Sequence, residues 1–354
     1  MSTPVGLVAR CAHSGDGLSA STIQWGQRGA ASPPVGLTER DLTLFALIFD
    51  ANYLSASQLV VLGWGETGER AGQRRLKLLH DAEYLDRFRP VAGVGSAEWN
   101  YRLSARGWQA LEDRHRAPAA RYKPSAISSI GYTEHDLQVA AIVLRLARTA
   151  SDGSSGALME RMPFSWRGAR TGRIDPPRGR VAEPSEPDPG VRLHVEGSRL
   201  GYLEPDATLV AERGPESFAV LIEYDRTERP HKQVDRLRRY DRWLLSGWRA
   251  SEYGRHAIAP AVLFLTAHET PLRRLVETAD RTLSAWRAGP NVGPREGVHP
   301  ARQRIVFSSR ERFVDGDWTM LRTPSLPPEL RDESDVCIPR TLTYDLPALL
   351  SATA

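Results

Sequence analysis

Two short apolar runs constrain this chain more than any other feature: Leu203-Glu204-Pro205-Asp206-Ala207-Thr208-Leu209-Val210 and Phe218-Ala219-Val220-Leu221-Ile222-Glu223-Tyr224-Asp225. A turn at Glu212-Arg213-Gly214-Pro215-Glu216 separates them. Both are of strand length and flanked by turn residues, which predicts a β-hairpin. Asp206 stands just before the first strand, and Glu223 and Asp225 close the second. A hairpin that delivers carboxylates to one edge of a sheet is one way to build a divalent-metal site. A turn-capping Asp and a strand-end Glu paired with Arg give the same pattern, so the surroundings must decide.

Downstream, Val234, Leu237, Tyr240 and Leu244 predict a helix over 231–246, followed by a buried strand at 261–266. Thr270-Pro271 starts another helix by cap and first-turn proline, and 304–308 is a last strand. Upstream, a helix is expected over 133–148 with Thr133 as its cap, then short strands near 158–161 and 191–195, with an irregular Pro/Gly-rich loop over 167–190 between them. Alternating strands and helices predict an α/β domain on a mixed sheet, over residues 131–320.

The first half has a different rhythm. Thr38 and Asp41 form a capping box with Asp in place of Glu, and Leu42, Phe45, Ile48 and Phe49 give one apolar face. Ser55 caps a second short helix, and a third runs from about 67 to 80. Strands at 84–89 and 98–103 flank a Gly-rich turn, and Ser104 caps a closing helix. Three helices, a two-stranded ribbon and a helix are the order of a winged helix-turn-helix, expected over 37–115. In that geometry the third helix offers Arg70, Gln73, Arg74 and Lys77 to base edges, and Arg87, Arg89 and Arg102 on the ribbon hold phosphates. A winged domain used for protein contacts, with a solvated basic face, is the alternative. Residues 1–36 predict a disordered tail, 116–130 a linker and 321–354 a Pro-rich tail with little periodicity.

Charge supports nucleic acid as partner. The net charge is only +4, yet residues 226–255 hold nine Arg/Lys against four Asp/Glu, and Arg236 and Arg239 lie on the helix there. The two cysteines, Cys11 and Cys337, form no zinc or disulfide pattern, and no apolar run is long enough to span a membrane. The expectation is a cytoplasmic protein without a secretory leader or membrane partner.

A restriction-type nuclease core needs carboxylates from a Pro-Asp turn and from the end of the next strand, holding Mg²⁺ with Mn²⁺ as a substitute. Pro205-Asp206 and Glu223-Tyr224-Asp225 match in position, with Asp206 and Glu223 as the metal ligands. Asp225 stands where a lysine is expected. Lys232 on the next helix supplies the cation from elsewhere, or Asp225 is a further ligand, or the site is degenerate.

The order Tyr132-Thr133-Glu134-His135-Asp136-Leu137, Glu204-Pro205-Asp206, Ile222-Glu223-Tyr224-Asp225-Arg226-Thr227, Lys232 and Arg239-Tyr240 resembles the replication-relaxation family of actinobacterial and plasmid proteins. The upstream Tyr-Arg-Leu-Ser-Ala-Arg-Gly segment (101–107) is similar to that family too, and the likeness covers roughly residues 38–320. It implies a DNA-associated role in plasmid replication, relaxation or mobilisation on a nuclease-like PD-(D/E)xK fold. Mg-dependent nicking of duplex DNA is one expectation. A non-catalytic replication accessory factor or regulator is the other, and a scaffold for protein partners in a conjugation complex a third.

Overall fold

The computed structural model describes residues 23–29, 34–91, 97–118, 122, 130–151, 156–175, 202–214, 216–226, 230–283, 300–326, 328, 331, 340–343 and 346–351. The chain forms two compact units, Met1–Met162 and Pro163–Ala354.

The first unit is built from helices α1 (Glu39–Ala51), α2 (Ala56–Trp64), α3 (Glu69–Asp81), α4 (Ala105–Asp113) and α5 (Ile130–Ala150). The strands are β1 (Ile23–Trp25), β2 (Leu54–Ser55), β3 (Leu85–Pro90) and β4 (Asn100–Leu103), in the sheet order β1-β3-β4-β2. Local signals set the helix starts. Thr38 and Ser55 each complete a capping box, with Asp41 and Gln58 as the returning side chains. Ser104 accepts the Gly107 N–H at the start of α4. Leu42, Phe45 and Ile48 from α1, Leu59 and Leu62 from α2, and Leu76 and Leu79 from α3 are buried, as the 3.6-residue spacing requires.

Three expectations change here. Part of the segment expected to be disordered forms β1, which pairs antiparallel with β3 and turns the ribbon into a wider sheet. Trp25 packs on Phe88, with ring centroids 5.7 Å apart, and this holds the strand in place. Thr133 lies inside α5 rather than at its cap, because the helix starts at Ile130. Finally, α5 groups with the first unit, whereas the sequence put it at the head of the α/β domain. It touches α1, α2 and β2, and the Gln58 amide donates to the Leu137 carbonyl at 2.9 Å.

The second unit is a seven-stranded mixed sheet. Its strands are β5 (Ser165–Gly168), β6 (Ala207–Ala211), β7 (Phe218–Asp225), β8 (Ala261–Thr266), β9 (Ile305–Ser309), β10 (Thr319–Arg322) and β11 (Arg340–Thr343), in the order β11-β10-β9-β8-β7-β6-β5. β7, β8 and β9 run parallel, and the remaining neighbours antiparallel. The expected β6–β7 hairpin is present, with Ala207 opposite Ile222. The crossovers carry α6 (Pro230–Arg242), α7 (Glu269–Thr282) and α8 (Pro300–Arg304), and α9 (Arg310–Asp315) and α10 (Leu346–Leu350) follow. α6 continues into a π-helical turn over Trp243–Gly247. Leu237 and Tyr240 from α6 and Leu272 and Val276 from α7 cover Leu221, Val262, Phe264 and Phe307 on one face of the sheet.

Residues 158–160 form a 3₁₀ turn, not a strand, and β5 begins later, its last two residues inside the expected loop. The strand expected at 191–195 lies outside the described residues. The C-terminal region, expected to be a tail from 321, supplies β10, β11 and α10. Among the described residues no helix is long and apolar enough to cross a membrane.

Candidate functional site

The β6–β7 register fixes the carboxylates. Ala207 faces Ile222, so Asp206 stands one step further on, opposite Glu223. Side chains alternate along a strand, and Ala219 and Leu221 of β7 lie in the core beneath α6. Glu223 and Asp225 therefore project toward the same side. On β6 the core residue is Val210, which places Asp206 on that side too.

Glu223 is 3% exposed and both its oxygens are engaged. Oε1 accepts from the Tyr240 hydroxyl at 2.7 Å, and Oε2 meets Arg236 Nη1 at 2.7 Å. Arg236 and Tyr240 are four residues apart on α6, so one helix face delivers both. Asp206 Oδ2 accepts the Tyr224 backbone N–H at 2.7 Å. Burial, reinforced by the Asp206 charge, pushes the Glu223 carboxyl up to about 7; Arg236 and Tyr240 oppose this without cancelling it. Tyr240, buried against Glu223, is raised well above the usual phenol range.

A Mg²⁺ ion needs several hard oxygen donors, with room for waters between them. Here each Glu223 oxygen accepts one bond from α6, and Asp206 Oδ2 accepts one from the backbone. Among the described residues no group of three or more Asp, Glu, His or Cys is placed to hold an ion. Asp225 is half-buried at the end of β7, level with Thr266 of β8. The Lys232 side chain lies outside the described residues, so its expected role has no geometry to stand on. Among the described residues the donors fall short of a divalent-metal centre.

Of the two arginines expected to face DNA from α6, Arg236 is the partner of Glu223, while Arg239 is half-buried and places Nη1 3.4 Å from the Tyr202 carbonyl. Sequence reasoning took Tyr240 as a core residue and missed its bond to Glu223. Its spacing from Arg236 was the available signal.

In the first unit, Arg70, Gln73, Arg74 and Lys77 are all exposed along α3, while Leu76 and Leu79 point inward. Gln73 bonds Glu69, Arg74 Nε reaches the Arg70 carbonyl, and Lys77 pairs with Asp81. On the ribbon, the Arg87 and Arg89 guanidiniums lie 4.6 and 4.5 Å from the same Trp99 ring. Arg102 is bonded to Asp86 and lies 4.8 Å from the Trp25 ring. A groove lined by Gln73, Lys77, Arg87, Glu98 and Trp99 separates α3 from the ribbon.

The two units define a helix-and-ribbon module with a basic helix face, and a mixed-sheet α/β module with a buried carboxylate pair. The model of the replication-relaxation family matches residues 45–262, and the chain belongs to that family. No curated protein matches the chain. Among solved structures, FokI restriction endonuclease bound to DNA overlaps 80% of this chain and 47% of its own, at 12% identity and a TM-score of 0.21. The chain thus spans about half the length of that enzyme, and so loose an overlap assigns no fold.

Proposed function

We propose that this protein binds duplex DNA in a replication-related process, and that its carboxylate pair is a structural clamp rather than a hydrolytic centre. The observation that carries this reading is the enclosure of Glu223, whose two oxygens are held by Tyr240 and Arg236. A carboxylate so bonded and 3% exposed orders the hairpin on α6 and leaves little access for a hydrated ion. The family supports the DNA-associated role. The winged-helix order of the first unit supports duplex contact, with α3 in the major groove and Arg87 and Arg89 on the backbone. Work on plasmid or mobile-element DNA in the cytoplasm belongs to the same reading.

A second reading, Mg-dependent nicking on a restriction-type core, is favoured by one observation. Asp206 stands near enough to raise the Glu223 pKa, a repulsion that a divalent ion would relieve.

Supercoiled plasmid incubated with the protein and a Mg²⁺/Mn²⁺ panel separates the two. The clamp reading expects retained binding and no relaxed or linear product. Nicking that disappears in Asp206→Asn would overturn it. For the DNA-binding role, Arg70→Ala with Arg74→Ala is expected to weaken duplex binding and relax its sequence preference, and Arg87→Ala with Arg89→Ala to flatten the slope of log K against log salt by about 2, roughly one per lost phosphate contact. Unchanged affinity in the first pair would remove α3 from the interface, and an unchanged slope in the second would remove the ribbon.

A further inference from the structure

At the head of the β6–β7 hairpin the chain carries an aromatic–cation stack that the clamp does not use. An isolated antiparallel bridge ties Ile174 to Leu203, with N–H···O distances of 2.8 and 2.9 Å in the two directions. Ile174 and Leu203 are each 5% exposed and belong to the core beneath α6. Their outward neighbours are Arg173 and Tyr202. The Arg173 guanidinium carbon lies 4.0 Å from the Tyr202 ring centroid, and Tyr202 is 44% exposed. Arg173 Nε bonds Asp175 at 2.9 Å, which fixes the guanidinium by its edge. Arg239 of α6 reaches the Tyr202 carbonyl, and Arg238 beside it is exposed.

We infer that Tyr202 and Arg173 form a stacking platform for an unpaired base, so that the second unit binds single-stranded DNA. The guanidinium lies over the ring, and both groups are exposed and anchored to the core by the bridge, so little ordering is lost when a base is added. Stacking of bases on aromatic rings and on guanidinium planes is the way proteins hold single strands without reading sequence. A phosphate is the poorer fit. Asp175 bonds Arg173 Nε, and Glu204 is exposed and acts on Arg173 electrostatically, so two carboxylates oppose an anion here. A phosphate next to the base would meet Arg239. Bases paired within a duplex keep both faces covered by their neighbours, so the platform selects melted or single-stranded DNA.

This rests on the DNA-binding role proposed above. The test measures fluorescence anisotropy of the full chain with labelled oligo(dT), oligo(rU) and a duplex of equal length. Tyr202→Ala and Arg173→Ala are each expected to weaken oligo(dT) binding by about 5- to 100-fold, the loss typical of one stacked base. Duplex affinity should hold, and Tyr202→Trp should restore oligo(dT) binding. Oligo(dT) affinity unchanged in both alanine variants, with circular dichroism also unchanged, overturns the platform and leaves the functional reading standing. Tighter binding of oligo(rU) than oligo(dT) overturns its assignment to DNA. A wild-type protein that binds no DNA of either kind overturns both readings.

Discussion

Glu223 shows how one buried carboxyl can be held by a cation and still keep its proton. Loss of water and the nearby Asp206 charge outweigh Arg236, so the group titrates near 7 instead of the usual 4.5. Below pH 4.5 it is protonated in folded and unfolded chain alike and costs nothing. Above that the unfolded chain releases its proton first, so stability falls as pH rises toward and through 7. Glu223→Gln is therefore expected to shrink the drop in melting temperature between pH 5 and pH 8; an undiminished drop would place the titration elsewhere. Tyr240→Phe keeps the packing and removes the hydroxyl from a group that is 0% exposed. It should cost about 1–3 kcal/mol by denaturant unfolding, with the loss larger at pH 8, where Glu223 is charged. Asp206 and Glu223 were legible in the sequence because strand alternation and the Pro-Asp turn are local signals. Their partners were harder to read, since Tyr240 sits in an apolar stripe and only its four-residue spacing from Arg236 sets it apart from a core tyrosine.

At the scale of elements, helices were more legible than edge strands. The helix starts at Thr38, Ser55 and Ser104 follow from capping chemistry that acts over three residues. β1 has three residues and β11 four, too few for a period to show, and pairing partners distant in sequence create them. Trp25 was the one hint of β1, as an aromatic inside a Gly-rich stretch. Thr38 both caps α1 and bonds Asp41, a buried carboxylate that Arg75 grips through Nε and Nη2. Thr38→Ala should cost about 1 kcal/mol of stability, measured by denaturant unfolding. A loss well below that would mean that Arg75 alone holds the start of the helix.

For the whole molecule, the change in rhythm of elements predicted two domains and their classes. The boundary was harder. The apolar stripe of α5 shows that it is covered, not by which core, and only the Gln58–Leu137 bond and the contacts with α1 and α2 assign it. Each unit has a core of its own, with Leu76 at 1% exposure in the first and Phe264 at 0% in the second. Calorimetry should resolve two transitions, with Leu76→Ala lowering one and Phe264→Ala the other. A single transition lowered by both variants would mean that the units melt as one.

The bond from Asp206 to the Tyr224 amide has a consequence for alignment. It caps the hairpin one position beyond the last strand pair, so it penalises any slip of β6 against β7. A slip of one residue would turn Glu223 to the opposite face of the sheet, away from Tyr240 and Arg236. Removing the side chain therefore disturbs the frame in which the strands meet as well as the local charge. An alanine at 206 would silence any activity for either reason. An asparagine can still accept the amide hydrogen while discarding the charge, and so separates a residue that does chemistry from one that keeps the strands in step.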